Sequence, residues 1–234
     1  MRPFLIIIVF LNAGLLFGQN FAYPTIKQNG VLIRAFIPAG WTILDSTIGD
    51  LNNDKLLDAI VILQDVDTIS LIKIENEIED TLVTRPRILI ILFKTKSDNS
   101  FHLVEQSNTY ILTYDDPFAD DPYQSTTITK GILQINFHWY PNSGNDFKSS
   151  IYKFRYQAGD FVLIGAEFEE SNKVTHDFTN YSYDFLTKKR ILSKGNWDKK
   201  IDNKSTISLN FKDLKTIGTL KQPYTWEVEN GINL

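Results

Sequence analysis

The sequence predicts a mainly β protein, built of antiparallel sheets and hairpins in a single domain, with a β-rich α+β arrangement as the alternative. Three observations point there. Ile132, Gln134, Asn136 and His138 alternate with Leu133, Ile135, Phe137 and Trp139, the period-two pattern of a half-buried strand. Two further alternating runs, residues 151–156 and 161–168, flank Gln157-Ala158-Gly159-Asp160. A short glycine-bearing turn between two such runs is the mark of a β-hairpin. Residues 88–93 are apolar at both parities, as expected of a strand covered on both faces.

The other elements follow in chain order. Residues 31–37 form a short apolar run with one charge and read as a strand. Residues 59–63 are continuously aliphatic, a second buried strand. Residues 70–82 place Leu71, Ile72, Ile74 and Ile78 among acids, which suggests a short amphipathic helix with a solvated acidic face. Residues 114–123 hold two prolines and four aspartates, so they read as a loop. Residues 182–190 are expected to pair onto the 151–168 hairpin as a third strand, and residues 205–211 form a last one. No repeat period is visible, which argues against a propeller or solenoid.

The N-terminus carries a compartment signal. Met1-Arg2-Pro3 precedes an apolar run at residues 4–17, and small and polar residues follow at Gly18-Gln19-Asn20. Charge, apolar core and small residue make up a secretory signal peptide, and the run is shorter than the roughly 20 residues that span a bilayer. Residues 1–18 are therefore expected to be removed, with cleavage after Ala22 as the alternative. That leaves residues 19–234 as one β-rich domain in the periplasm or outside the cell. With no cysteine in the chain, disulfides and thiolate metal sites are excluded. Loss of Arg2 takes the net charge from −4 to −5, the wrong sign for a nucleic-acid binder. No later segment is apolar enough to span a membrane.

One loop stands out. Residues 49–63 read Gly-Asp-Leu-Asn-Asn-Asp-Lys-Leu-Leu-Asp-Ala-Ile-Val-Ile-Leu. Oxygen side chains fall at Asp50, Asn52, Asp54 and Asp58, and the Leu56 carbonyl stands at the seventh position. Calcium is a hard cation that takes 6–8 oxygen ligands, and three carboxylates on one short loop repel one another unless a cation sits between them. These five residues are the expected Ca2+ ligands. An EF-hand is excluded, because its twelfth position needs a bidentate glutamate and here holds Val61. The loop resembles the calcium loops of integrin-type FG-GAP and VCBS repeats, whose pattern Asp-x-Asn-x-Asp-Gly-x-x-Asp lies between two strands. The resemblance covers residues 41–63. It departs at Lys55, where those loops carry glycine, and it occurs once rather than in series. A glycine there serves a backbone with positive φ, so lysine would strain the turn or bring a positive charge toward the ion.

Other candidates are weaker. Asp115, Asp116, Asp120 and Asp121 surround Pro117-Phe118-Ala119, an acidic cluster that reads best as a solvated loop. His102, His138 and His176 have no paired ligand spacing. His138 to Gly144 carries aromatics into a turn beside Asn142 and Asn145, a conceivable sugar platform. The chain further resembles a group of uncharacterised exported bacterial proteins. Gly40-Trp41, Arg87-Ile88-Leu89-Ile90-Ile91-Leu92, Phe154-Arg155-Tyr156-Gln157, Asp160-Phe161-Val162-Leu163-Ile164-Gly165 and Asn180-Tyr181-Ser182-Tyr183-Asp184-Phe185-Leu186-Thr187 carry that resemblance. It implies one exported β-rich unit and no particular activity. The expected function is a non-enzymatic binding or envelope protein with one Ca2+ and a glycan or protein partner. The alternative is a secreted or periplasmic hydrolase of cell-wall or glycan material that works through carboxylates.

Overall fold

A computed structural model describes residues 21–75, 78–229 and 231–234. The expected signal peptide, residues 1–18, lies outside the described residues. The fold is β-rich and its sheets are antiparallel hairpins, as the sequence predicts. Strands β1 (Asn29–Gly30), β2 (Trp41–Gly49), β3 (Asp58–Asp65), β6 (Arg87–Lys94) and β7 (Phe101–Ser107) form a five-stranded sheet in the order β1-β7-β6-β3-β2. Strands β8 (Tyr123–Thr129), β9 (Ile132–Trp139), β10 (Asp146–Gln157), β11 (Asp160–Asn172), β12 (Asp177–Asp184), β13 (Lys189–Asn196) and β14 (Ile201–Ser208) follow one another in a seven-stranded meander. Two small hairpins complete the set: β4 (Ile69–Glu75) with β5 (Ile78–Thr84), and β15 (Glu227–Glu229) with β16 (Ile232–Asn233). No helix among the described residues is long and apolar enough to cross a membrane.

The period-two pattern decides which side chains meet. Ile60, Ile62, Leu89 and Ile91 point to one face of the five-stranded sheet and pack with Leu133, Ile135, Phe137, Tyr152, Phe154 and Leu163 of the larger sheet. Their neighbours Ala59, Val61, Leu63, Ile88, Ile90 and Leu92 point to the opposite face, beneath Ile26 and Phe36. β3 and β6 are thus buried on both sides, as their unbroken apolar runs require. Beyond the smaller sheet, the inner face of the larger one is covered by the C-terminal segment through Leu209, Ile217, Leu220, Val228 and Leu234. Tyr110 stands at the centre, with its ring edge-on to Tyr152 and Phe154 at 6.0 and 5.4 Å.

Three sequence expectations are corrected. Residues 70–82 are not a helix but most of the β4–β5 hairpin. Ile72 and Ile74 alternate with Lys73 and Glu75, and β-branched residues at alternate positions favour a pleated strand. Residues 31–37 are not a strand. They contain a 3-10 turn, Ile33–Phe36, that drops Phe36 into the outer core. Only Asn29 and Gly30 pair with β7, and a Cβ on Gly30 would meet the Ala35 Cβ at 2.8 Å. Residues 182–190 do not form one strand. They hold the end of β12, a turn, and the start of β13, with Asp184 Oδ1 accepting the N–H groups of Leu186 and Thr187 in that turn. The 157–160 turn is as expected, with Ala158 and Gly159 both at positive φ (54° and 97°), the conformation that suits a two-residue hairpin.

Candidate functional site

The loop at 50–58 joins β2 to β3 and sits at one end of the packed sheets, beside the β8–β9 turn. A Cβ on Gly131 of that turn would lie 3.4 Å from Asn53 Oδ1. Leu51, 1% exposed, anchors the loop in the inner core. The oxygen-bearing side chains wind the backbone around themselves. Asp50 Oδ1 and Asn52 Oδ1 both accept from the Asp54 N–H, at 3.2 and 3.0 Å. Asp50 Oδ2 accepts from the Lys55 N–H at 2.9 Å, and Asp54 Oδ1 from the Leu56 N–H at 2.8 Å. Asn52 Nδ2 donates to Asp54 Oδ2 at 3.1 Å.

The turn requires positive φ at Asn53 (63°) and at Lys55 (70°). Asparagine enters this region readily, whereas lysine does so at a cost. Lys55 therefore has the backbone that glycine suits. Lys55→Gly is expected to stabilise the protein by about 0.5–1 kcal/mol, the strain relieved less the added freedom of the unfolded chain. A urea titration checks it; an unchanged or lower midpoint would show that the turn carries no such strain.

Asp58 differs from the other loop oxygens. It is 0% exposed. Its Oδ2 accepts from the Leu51 N–H at 2.9 Å, and its Oδ1 from the Lys94 N–H of β6 at 3.0 Å. One carboxylate thus ties the loop's start to the end of the neighbouring strand. Burial raises its pKa, the two backbone donors pull it down, and the charges of Asp54 and Asp50 raise it again. As folded, the loop carboxylates turn onto backbone N–H groups. Among the described residues, no three acidic, imidazole or thiol side chains converge as metal ligands. The donor set itself is all hard oxygen. A carboxylate oxygen that accepts one N–H keeps a second lone pair, so the residues present fit Ca2+ by chemistry.

No protein-family model, curated protein or solved structure matches this chain. Its function must be argued from its own residues.

Two further constellations are chemically suggestive. Ser100 Oγ lies 3.0 Å from His102 Nε2, with Asp98 Oδ2 3.8 Å from the same nitrogen. In a nucleophilic triad the carboxylate binds the ring nitrogen opposite the serine, which fixes the tautomer and supports the imidazolium. Here both groups meet Nε2. Asp98 also accepts from the Thr95 hydroxyl and the Ser100 N–H, so the group closes the β6–β7 turn. In the 138–144 aromatic turn, Asn142 is engaged internally. Asn142 Nδ2 donates to the Pro117 carbonyl at 3.1 Å, and one face of Tyr140 is stacked by His138 at 4.3 Å. Trp139 remains 41% exposed.

Sequence reading missed the long-range polar contacts. Arg87, 2% exposed, forms a bidentate pair with Asp121 and also donates to Leu112 O at 2.6 Å and Gln64 Oε1 at 3.0 Å. The acidic 115–121 loop, expected to be solvated, therefore takes an internal cation at Asp121. A signal was present: Arg87 is in phase with Leu89 and Ile91, and a charge on a buried face must find a partner. Beside this pair lies a cleft of about 310 Å³ whose walls include Gln64, Thr84, Arg85 and Tyr114. Asp45 accepts from the Tyr123 hydroxyl and the Thr126 N–H, at 2.6 and 3.1 Å, and so links β2 to β8. Arg190 and Glu229 form a second bidentate pair, with the Tyr183 hydroxyl donating to Glu229 at 3.0 Å.

Proposed function

We propose that the chain is an exported, non-enzymatic binding or envelope protein, periplasmic or secreted, whose 50–58 loop takes one Ca2+. The observation that carries the metal reading is electrostatic. Asp50, Asp54 and Asp58 crowd three carboxylates into one nine-residue loop, and although Leu51 and Lys94 N–H groups offset part of the cost of burying Asp58, the charges of Asp54 and Asp50 act against its ionisation. A cation among the three carboxylates would relieve that repulsion. Side-chain oxygens of Asp50, Asn52 and Asp54 and the Leu56 carbonyl would hold it, with Asp58 closing the set. The likeness of residues 41–63 to FG-GAP and VCBS loops supports the same reading. So does the apolar leader at residues 1–18, since extracellular calcium suits a site with a Kd on the order of 10⁻⁴–10⁻³ M. An ion here would order the strand–loop–strand unit rather than carry out chemistry.

The hydrolase alternative needs two carboxylates facing one cleft, with pKa values driven apart. The cleft beside Arg87 has Asp121 in its wall, and that carboxylate is engaged by the arginine.

The test is a melting curve in chelator and in calcium. At a calcium concentration ten times the Kd, preferential binding to the folded state adds about 1.4 kcal/mol and raises the Tm by roughly 3–6 °C. Asp54→Ala should abolish the rise. Identical curves in chelator and in millimolar calcium would overturn the metal reading.

A further inference from the structure

The two large sheets differ in how their edges are managed. β2 and β8 face one another, with Asp45 bridging the gap. At the far side of the smaller sheet, β1 is only two residues long. Among the described residues the larger sheet ends on β14, an eight-residue strand laddered to β13 alone. Its residues 202–208 are exposed at both parities. Such a strand gains little from burial and presents an open row of backbone N–H and C=O groups. Proline, a bulge or charged side chains, lysine above all, often guard such an edge, and here the one lysine, Lys204, is paired with Asp202 of the same strand. Residues 201–208 contain no proline, and the ladder runs without a register shift from Lys189↔Ser208 to Asn196↔Ile201.

The charges on β14 are of opposite sign and two positions apart. Asp202 and Lys204 share one face and pair at 3.0 Å. An antiparallel second copy related by a two-fold axis through Asn203 would set its Lys204 opposite Asp202 and its Asp202 opposite Lys204. The four charges would then alternate around a square, and opposite charges across a strand pair are favourable. We propose that β14 is a self-pairing edge, and that two copies join antiparallel through it into one continuous sheet. An interface of this kind needs only the same strand twice, as a two-fold assembly requires.

The experiment is sedimentation velocity on the exported chain, in chelator, over a range from low to high micromolar. The expected result is a shift with concentration from the mass of one chain toward two. Lys204→Asp faces Asp202 with a like charge in both directions, and association should weaken roughly ten-fold. The double variant Asp202→Lys with Lys204→Asp restores alternation and should restore association. Both changes are on an exposed strand, and an unchanged far-ultraviolet dichroism spectrum separates lost pairing from lost folding. A single-chain mass throughout would overturn the proposal, as would association indifferent to Lys204→Asp or a double variant that fails to recover.

Discussion

Replacing Asp121 with alanine is expected to lower stability by about 3 kcal/mol, because it strands the buried Arg87 guanidinium. Arg87 is 2% exposed. Asp121 is on the connector between the two sheets, and it takes two of the arginine's donors at once. Breaking a buried ion pair by removing one partner typically costs about 3–5 kcal/mol. The lower end applies here, since the Leu112 carbonyl and the Gln64 side chain still accept from the arginine, and the Asp121 side chain is 40% exposed. Removing the charge as well, by Arg87→Met in the same chain, is expected to recover part of the loss. A double-mutant cycle on urea midpoints checks both statements. If Asp121→Ala cost less than about 1 kcal/mol, the pair would rank with exposed surface bridges and the connector would be held by its apolar contacts alone.

The second large effect is at Asp58. Asp58→Ala removes the acceptor of two backbone donors, the N–H groups of Leu51 and Lys94. Each buried donor left unpaired costs about 1–3 kcal/mol, so a total of about 2–6 kcal/mol is expected for the two. Hydrogen exchange at Leu51 and Lys94 should quicken together, although one residue is in the 50–58 loop and the other ends β6. The pH dependence has a definite sign. Burial holds the folded Asp58 carboxyl above its ordinary 3.8, so the folded protein binds this proton more tightly than the unfolded chain. The associated stability is fully present below that ordinary value and is lost as pH rises through the folded pKa. The deficit of Asp58→Ala relative to the unaltered protein should therefore be greatest in acid and narrow toward neutrality in chelator. A deficit that instead widened with pH would mean that the backbone donors, not burial, dominate the carboxyl.

Strands whose burial is decided by their own repeat were legible in the sequence. Leu133, Ile135 and Phe137 are buried because every second residue of β9 faces the same way, and the turn at 157–160 announces itself by its glycine. The loop at 50–58 was legible for the same reason, since alternate oxygens in a short span are a local property. The positive φ at Lys55 was anticipated from the glycine that FG-GAP and VCBS loops, which the segment resembles, carry there. Residues 70–82 were misread because isoleucines spaced two, four and six apart satisfy a helical face almost as well as a strand. The deciding preference, β-branching, is weak. The segment at 31–37 was misread because Ile33, Phe36 and Ile37 cover the outer core from a 3-10 turn, and nothing local distinguishes such a cover from a ladder.

The sequence by itself determined the β class, the doubly buried centre of the smaller sheet and the turn between β2 and β3, because these depend on side-chain order within a few residues. Only the tertiary structure decided that Asp58 is a buried tie between strands, that Arg87 meets Asp121, and that β14 is left as an open edge. Those facts depend on which distant segments are brought together. An ionic or hydrogen-bonded partner acts over only a few ångströms, and chain separation carries no record of it.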